Sequence, residues 1–493
     1  MENRSTKEFE DNKSQSKQAE AEIILDEPKG ALKKVCIKKT EHKGRGIYAL
    51  ETIQRGTSIW QELPFSAVVD DQNISKACSS CFVNDKRMFR CSKCSLVHYC
   101  SKQCQVDDWQ NHQEECKATV KVQRNPPTFI RLASRILRKR RVDVTLFKQI
   151  ENLESNYSKF QQSQMETFAQ LAMVVKECVG KDELIPAADM LTLFCQLTSN
   201  GFSVLDAEMQ STGVGIYPNV SLLNHSCWPN CVVIFEGLKL NVRPIRKIEI
   251  GEEITISYTD LFFTGEERRK ELYERYFFTC RCELCEKYKS VSEVDPRSAL
   301  RCSNTSCDNP VDQPSSSDKD EEYAVCCKCG KISTFDVAVL DDNLKKARSL
   351  FKKGSELSTS EPENALTYLH QAFLIQQSLL YYANHELVMT HRALFDCSSK
   401  LHKWDEALQH AECLERAYHV VYPEYHPDTA VQIYRVAKIL LYMNQLEKAV
   451  TELRYALKIS EVTCGYRHKL TKVIETSLKN SEAEIAIGQS TRS

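Results

Sequence analysis

No stretch of this chain approaches eighteen consecutive apolar residues, and its opening, MENRSTKEFEDNKSQSKQ, contains no apolar segment of the signal-peptide kind. These two absences argue against a membrane span and against secretion. Neither sign of charge is in excess: 66 Lys and Arg face 67 Asp and Glu, a net charge of −1. A protein that coats nucleic acid over its whole surface is basic, so any such contact here must be local. Cysteine, by contrast, is abundant, with 23 in 493 residues. In a chain without signs of secretion, metal binding is the first explanation and reactive thiols the second; a disulfide framework falls behind both. The length provides for two or more domains and a large core.

The cysteines are patterned. Cys78, Cys81, Cys91, Cys94, Cys100, Cys104, His112 and Cys116 form one dense run of metal-ligand residue types. Zinc takes four thiolates or imidazoles in a tetrahedron, and close pairs wrap one ion, so eight ligands make two sites. Such a double-zinc module is an interaction surface, which leaves the chemistry to another part of the chain. Cys280, Cys282 and Cys285 give three more ligands, one short of a tetrahedron, and Cys227 could complete the set. Cys302, Cys307, Cys326, Cys327 and Cys329, followed by Gly330, read either as a fourth site or as free thiols in a loop.

Along the chain, residues 1–30 are polar and read as a disordered tail. Strand signals follow at Val35–Ile37, Ile47–Ala49 and Ser66–Val69, and return at Cys231–Phe235 and Ile254–Tyr258. Residues 117–210 read mainly as helices, with Phe168, Leu171, Ala172 and Val175 on one apolar stripe. Gln313–Glu322 reads as a loop or linker. The last third repeats: Ala365-Leu366, Ala407-Leu408 and Ala449-Val450 recur every 42 residues, with apolar or small residues at 369, 411 and 453 and at 372, 414 and 456. This is the pattern of stacked helix pairs, with longer helices or turns than the usual 34-residue tetratricopeptide unit.

Several of these strings together resemble the SET and MYND domain (SMYD) protein lysine methyltransferases. They are Lys43-Gly44-Arg45-Gly46, the double-zinc module, Asn224-His225-Ser226-Cys227, Ile256-Ser257-Tyr258, the CxCxxC cysteines and the helical C-terminal third, in the family's order from about residue 33 onward. The resemblance implies an α+β multidomain fold. Its parts are a SET N-terminal part at 31–77, a MYND zinc module at 78–116, a helical SET insert at 117–210, a SET catalytic core at 211–262, a post-SET segment at 263–290, a cysteine-containing linker at 291–342 and a tetratricopeptide-like lobe at 343–493. It implies S-adenosylmethionine as cofactor, against Lys43, Gly44, Arg45, Lys148, Asn156, Asn200, Asn224, His225, Tyr258, Tyr276, Phe277 and Phe278. At Lys148 the chain departs from relatives, which often carry an aromatic or His there. Tyr258 is the implied catalytic residue, a hydroxyl at the end of an apolar lysine channel. The implied zinc sets are interleaved: Cys78, Cys81, Cys100 and Cys104; Cys91, Cys94, His112 and Cys116; and Cys227, Cys280, Cys282 and Cys285. That makes three structural ions, or four with the 302–329 cysteines.

Residues 117–142 hold nine Lys or Arg and no acid. Arg131, Arg135 and Arg138–Arg141 read as one helix side, either simply solvated or used for nuclear import, DNA contact or an acidic partner. In residues 78–116 five basic side chains balance five acidic ones, which favours protein over phosphate recognition there. The expected partners are protein lysine substrates, histone tails or non-histone proteins, and peptides bound by the MYND module. No membrane partner is expected, and the chain is expected to be a monomer in cytoplasm and nucleus. The competing function is a non-enzymatic adaptor or corepressor scaffold.

Overall fold

A computed structural model describes residues 23–25, 34–41, 43–122, 125–179, 184–289, 293–313 and 322–490. Apolar residues on Val35–Thr40 and Gly44–Ala49 pair these two strands in antiparallel register, with Ile37 opposite Ile47. Glu253–Ile256 adds antiparallel to Gly44–Ala49, setting Ile254 against Ile47, and both isoleucines are fully buried. Asn224–His225 then adds in parallel, Asn224 beside Thr255 and His225 beside Ile256. The remaining edge is Ile23–Leu25, paired with Val35–Thr40. This corrects the reading of residues 1–30 as wholly disordered, because a short apolar stretch there finds an open strand edge; residues 1–22 and 26–30 lie outside the described residues.

Two further three-stranded sheets pack around this one. Cys231–Glu236, Lys239–Pro244 and Trp60–Glu62 form the first, and Ser66–Val69, Ser211–Ile216 and Gly201–Leu205 the second. The strand Gly201–Leu205 falls inside the stretch expected to be helical. Otherwise that stretch holds the helices Thr128–Val142, Val144–Glu151, Gln162–Cys178 and Ala187–Asn200. Phe168, Ala172 and Val175 are buried in their common core, as the helical period requires, with Leu171 packed at its margin. Tyr258 lies just past the strand end at Ile256, where the expected strand ran to 258.

The C-terminal third is helical from Val337, a little before the expected boundary at 343, because the Asp336 side chain caps the helix by accepting the Val339 amide at 3.0 Å. The helices Pro362–Leu379, Trp404–Val421 and Leu446–Thr463 start 42 residues apart, and so do His385–Lys400, Pro427–Tyr442 and Lys469–Ser490. Helices of 18 and 16 residues explain the long period. Ala365, Ala407 and Ala449 are all fully buried, where small side chains let neighbouring helices close. The lobe is fastened to the sheets by Arg297, which donates to Leu261 O at 2.6 Å and Val421 O at 3.1 Å, and by Phe262, packed on Tyr418 and Tyr422. No helix among the described residues is long and apolar enough to cross a membrane.

Candidate active site

The parallel step at Asn224–His225 brings three distant segments together. Asn224 Nδ2 donates to Arg45 O at 3.1 Å and to Glu253 Oε1 at 2.8 Å, and the other Glu253 oxygen takes Lys43 Nζ at 2.7 Å. Gly46 makes this possible: a Cβ there would lie 2.8 Å from both Asn224 Nδ2 and Glu253 Oε1. Gly44 has φ of +68° and no atom within 4 Å of where a Cβ would stand, so the strand opens onto free space beside this network. That opening, bordered by hydrogen-bonding groups, fits a ligand approaching the backbone closely.

The same strand holds the loop after the helix Val144–Glu151. Arg45 donates to Asn152 O at 2.9 Å, and Asn200 Nδ2 donates to Glu154 O at 2.9 Å. Asn156, in the left-handed region at φ 50°, sits within this loop. Arg45, Asn156 and Asn200 are therefore gathered in one place. Lys148 is exposed on the preceding helix, and among the described residues no side-chain hydrogen bond or ion pair joins it to the set.

Tyr258 stands on the other side of Asn224–His225. Its hydroxyl donates to Leu223 O, and its amide donates to His225 Nδ1 at 3.0 Å. Because Nδ1 accepts, the imidazole proton is on Nε2, which meets Cys227 Sγ at 3.2 Å. Burial pushes the His225 pKa down to about 4, with Arg268 adding to the shift, so the ring is neutral as this tautomer requires. The ring thus connects the cysteine set to the tyrosine. Burial also raises the Tyr258 phenol above its ordinary value, so it stays protonated.

The helix Gly265–Tyr276, begun by a Thr264/Glu267 capping box, delivers the aromatics. Tyr276 lies 4.7 Å and Phe278 6.5 Å from Tyr258, ring centre to ring centre. Phe277, at φ 61°, caps the helix and packs at 4.6 Å on Phe160 in the core of the helical insert. Of the three expected aromatics, two face Tyr258 and one fixes the segment to the insert.

Cys227, Cys280, Cys282 and Cys285 converge with their sulfurs within 4.8 Å of one another. So do Cys78, Cys81, Cys100 and Cys104, and likewise Cys91, Cys94, His112 and Cys116. Four soft donors at that spacing suit a closed tetrahedral zinc site. The fourth set is Cys302, Cys307, Cys326 and Cys329, while Cys327 is exposed, lies outside the set and accepts from the Asn309 amide at 3.1 Å. Arg268, buried beside Cys227, has its pKa raised against the cost of burial by the Cys227 sulfur and Asp295. A zinc ion held by four thiolates would carry net negative charge, which this guanidinium would offset.

Three arginines of the basic stretch prove to be interior, while Lys117, Lys121 and Arg141 are exposed. Arg131, Arg135 and Arg138 are all buried. Arg135 pairs with Glu115 at 2.8 Å and Asp108 at 3.1 Å, and Glu115 accepts from His112 Nδ1 at 3.2 Å. This support orients a ligand-type imidazole whose Nε2 faces Cys94 at 3.4 Å. Arg131 donates to Val69 O and Arg138 to Cys178 O at 2.9 Å. The reading of one solvated or DNA-facing helix side is thereby corrected for these three residues: Arg135 meets acids upstream in the helix Lys102–Val122, and Arg131 and Arg138 donate to backbone carbonyls.

Sequence reasoning missed Glu253, Arg268 and the buried role of Arg135. Glu253 carried a signal, an acid at the head of a strand otherwise rich in Ile and Thr. The two arginines had none, since only folding reveals their partners.

The SET domain family matches residues 44–259. Over 458 residues the chain is 30% identical to the histone-lysine N-methyltransferase SMYD3 of Mus musculus, covering 90% of this chain and 97% of that protein. It is 28% identical to the histone-lysine N-methyltransferase ASHR1 of Arabidopsis thaliana, covering 91% and 95%. It is 27% identical to the N-lysine methyltransferase SMYD2-A of Xenopus laevis, covering 89% and 96%.

Proposed function

Given that the chain belongs to the SMYD family of SET-domain proteins, we propose that it is an S-adenosylmethionine-dependent protein-lysine N-methyltransferase acting on histone or non-histone proteins. The observation that carries this reading is the meeting of Asn224, Glu253 and the Gly44–Gly46 backbone with Tyr258, Tyr276 and Phe278 on either side of one two-residue strand.

S-adenosylmethionine, when bound, supplies a methyl group on a cationic sulfonium sulfur. Lys43, Gly44, Arg45, Asn156, Asn200, Asn224 and His225 are the residues that would hold it. Their main work is positional, since Asn224 and Arg45 each tie a separate loop or strand to the same spot. The Tyr258 O–H is engaged as a donor to Leu223 O, so its oxygen lone pairs are left to accept from an N–H of the substrate amine. A phenol that stays protonated does not act as the base. Free lysine has a pKa of about 10.4, and an apolar wall of Tyr258, Tyr276 and Phe278 disfavours its ammonium form. The amine therefore sheds its proton to solvent on entry, and Tyr258 then aims the nitrogen lone pair. Alignment of this kind lowers the barrier without covalent participation by the protein.

The cysteine sets would hold four structural zinc ions, because none leaves a position open. The ion between Cys227 and Cys280–Cys285 would matter most, as it joins the Asn224–Cys227 segment to the one carrying Tyr276 and Phe278. A cleft of about 310 Å³ between the 208–210 loop and the helical lobe is lined by Glu208, Asp260, Asp396 and Asp428 against Arg392 and Arg435. Its acidic excess suits the basic flanks of a lysine-containing peptide.

The test is incubation with methyl-labelled S-adenosylmethionine and a panel of histones and cell proteins, with mass spectrometry of the labelled residue. Label on lysine, abolished by Asn224→Ala in a folded protein, is the expected result. A folded, zinc-loaded protein that binds S-adenosylmethionine but labels no lysine would overturn the assignment.

A further inference from the structure

The helical lobe contains one more group of ligand-type side chains, separate from every cysteine set. His370, in the helix Pro362–Leu379, and Glu406 and His410, in the helix Trp404–Val421, each bring one nitrogen or oxygen within 4.8 Å of the others. Glu406 and His410 are four residues apart, so they share one face of their helix. His370 Nε2 meets Glu406 Oε1 at 2.5 Å. His410 is buried, and its Nδ1 meets His391 Nδ1, from the helix His385–Lys400, at 2.9 Å.

An ordinary surface ion pair would account for His370 and Glu406 alone. It does not account for two buried imidazoles joined nitrogen to nitrogen beside that pair, with Phe373 closing over both at 5.1 and 5.5 Å. A nitrogen-to-nitrogen hydrogen bond needs one ring nitrogen as acceptor, so one of the two rings is neutral there, and a neutral imidazole is the form that binds metal. With Nδ1 of His410 engaged by His391, Nε2 is its nitrogen left for an ion. A ligating histidine typically has its other ring nitrogen fixed by just such a partner.

We propose that His370, Glu406 and His410 form a site for a divalent transition-metal ion of the zinc type, with His391 as the residue that holds the His410 ring. Two imidazoles and a carboxylate are a donor set that zinc accepts while retaining water. The His370 and Glu406 side chains are 43% and 24% exposed, so the ion enters from solvent and keeps its remaining positions open to it. Unlike the closed cysteine sets, this site exchanges its ion readily. Once filled, it clasps the first helix of one repeat to the first helix of the next.

The test uses the full-length, zinc-loaded protein titrated with Co2+ and followed by visible absorption. Cobalt on nitrogen and oxygen gives weak ligand-field bands; displacement of zinc from a cysteine set adds intense thiolate charge-transfer absorption. We expect one equivalent bound with ligand-field bands only. Glu406→Gln and His370→Ala, both at partly exposed positions, should each abolish it while the melting curve and the cysteine-bound zinc are unchanged. His391→Ala should weaken binding about 10–100-fold, as loss of an orienting partner does. No uptake without thiolate bands by the wild type would overturn the proposal. Equal uptake by the wild type and both ligand variants would also overturn it, leaving an adventitious ion only.

Discussion

Replacing Tyr258 by phenylalanine removes one oxygen and keeps the ring against Tyr276 and Phe278. Two separable losses follow. The first is structural: Leu223 O, in a residue 1% exposed, loses its donor. A buried acceptor left unmade costs about 1–3 kcal/mol. The second is catalytic. The phenolic oxygen is the acceptor that aims the substrate amine, and removing one such preorganised group costs about 2.7–4 kcal/mol, or roughly 100–1,000-fold in turnover. S-adenosylmethionine affinity should hardly change, because the side chains that would hold it, Asn224 and Arg45, are tied to Glu253 and Asn152 and not to the phenol. Denaturant unfolding reads the first loss, single-turnover methyl transfer at saturating cofactor the second, and titration calorimetry the unchanged binding. Turnover within about tenfold of wild type, a barrier change of less than about 1.4 kcal/mol, would refute the role given to Tyr258. A large fall in cofactor affinity at intact turnover would refute it as well.

Gly46→Ala places a methyl 2.8 Å from both Asn224 Nδ2 and Glu253 Oε1; overpacking of this kind costs about 1–3 kcal/mol, and calorimetry should show weakened S-adenosylmethionine binding together with a lower unfolding midpoint. Arg135→Ala strands the buried Glu115 and Asp108 carboxylates and should destabilise by about 3–5 kcal/mol, whereas Lys121→Ala, at an exposed position in the last turn of the helix Lys102–Val122, should stay within about 0.5 kcal/mol; denaturant unfolding compares them. Cys329→Ser should lose one zinc by native mass spectrometry and Cys327→Ser none, since only Cys329 joins Cys302, Cys307 and Cys326.

The strings that carry chemistry were legible in the sequence because their constraints are local. Zinc ligand pairs must follow one another at fixed short spacing, which marks the ligand residues; the interleaved sets that the SMYD resemblance implied are the sets whose sulfurs and imidazole converge. The 42-residue repeat was equally legible, since each helix pair buries its own Ala365, Ala407 or Ala449 in the same way. The sequence left the choice between Cys326 and Cys327 open, because either fits the ligand spacing; a tight turn at Gly330 and the hairpin Glu322–Val325 with Ile332–Phe335 turn Cys326 inward and Cys327 out.

Tertiary structure alone decided which charges are buried and what they support. Arg131, Arg135 and Arg138 look like a basic surface because charge patterning along a helix is read without its neighbours; the folded chain lays them against Asp108, Glu115 and backbone carbonyls. Glu253 and Asn224 stand 29 residues apart and meet only because two strands align in parallel. By itself the sequence determined the candidate ligand residues, the repeat and the family to which the site belongs. Which side chains are bound to one another across that site, and which arginines are inside, depended on long-range pairing, whose partners lie too far apart in the chain for local spacing to reveal.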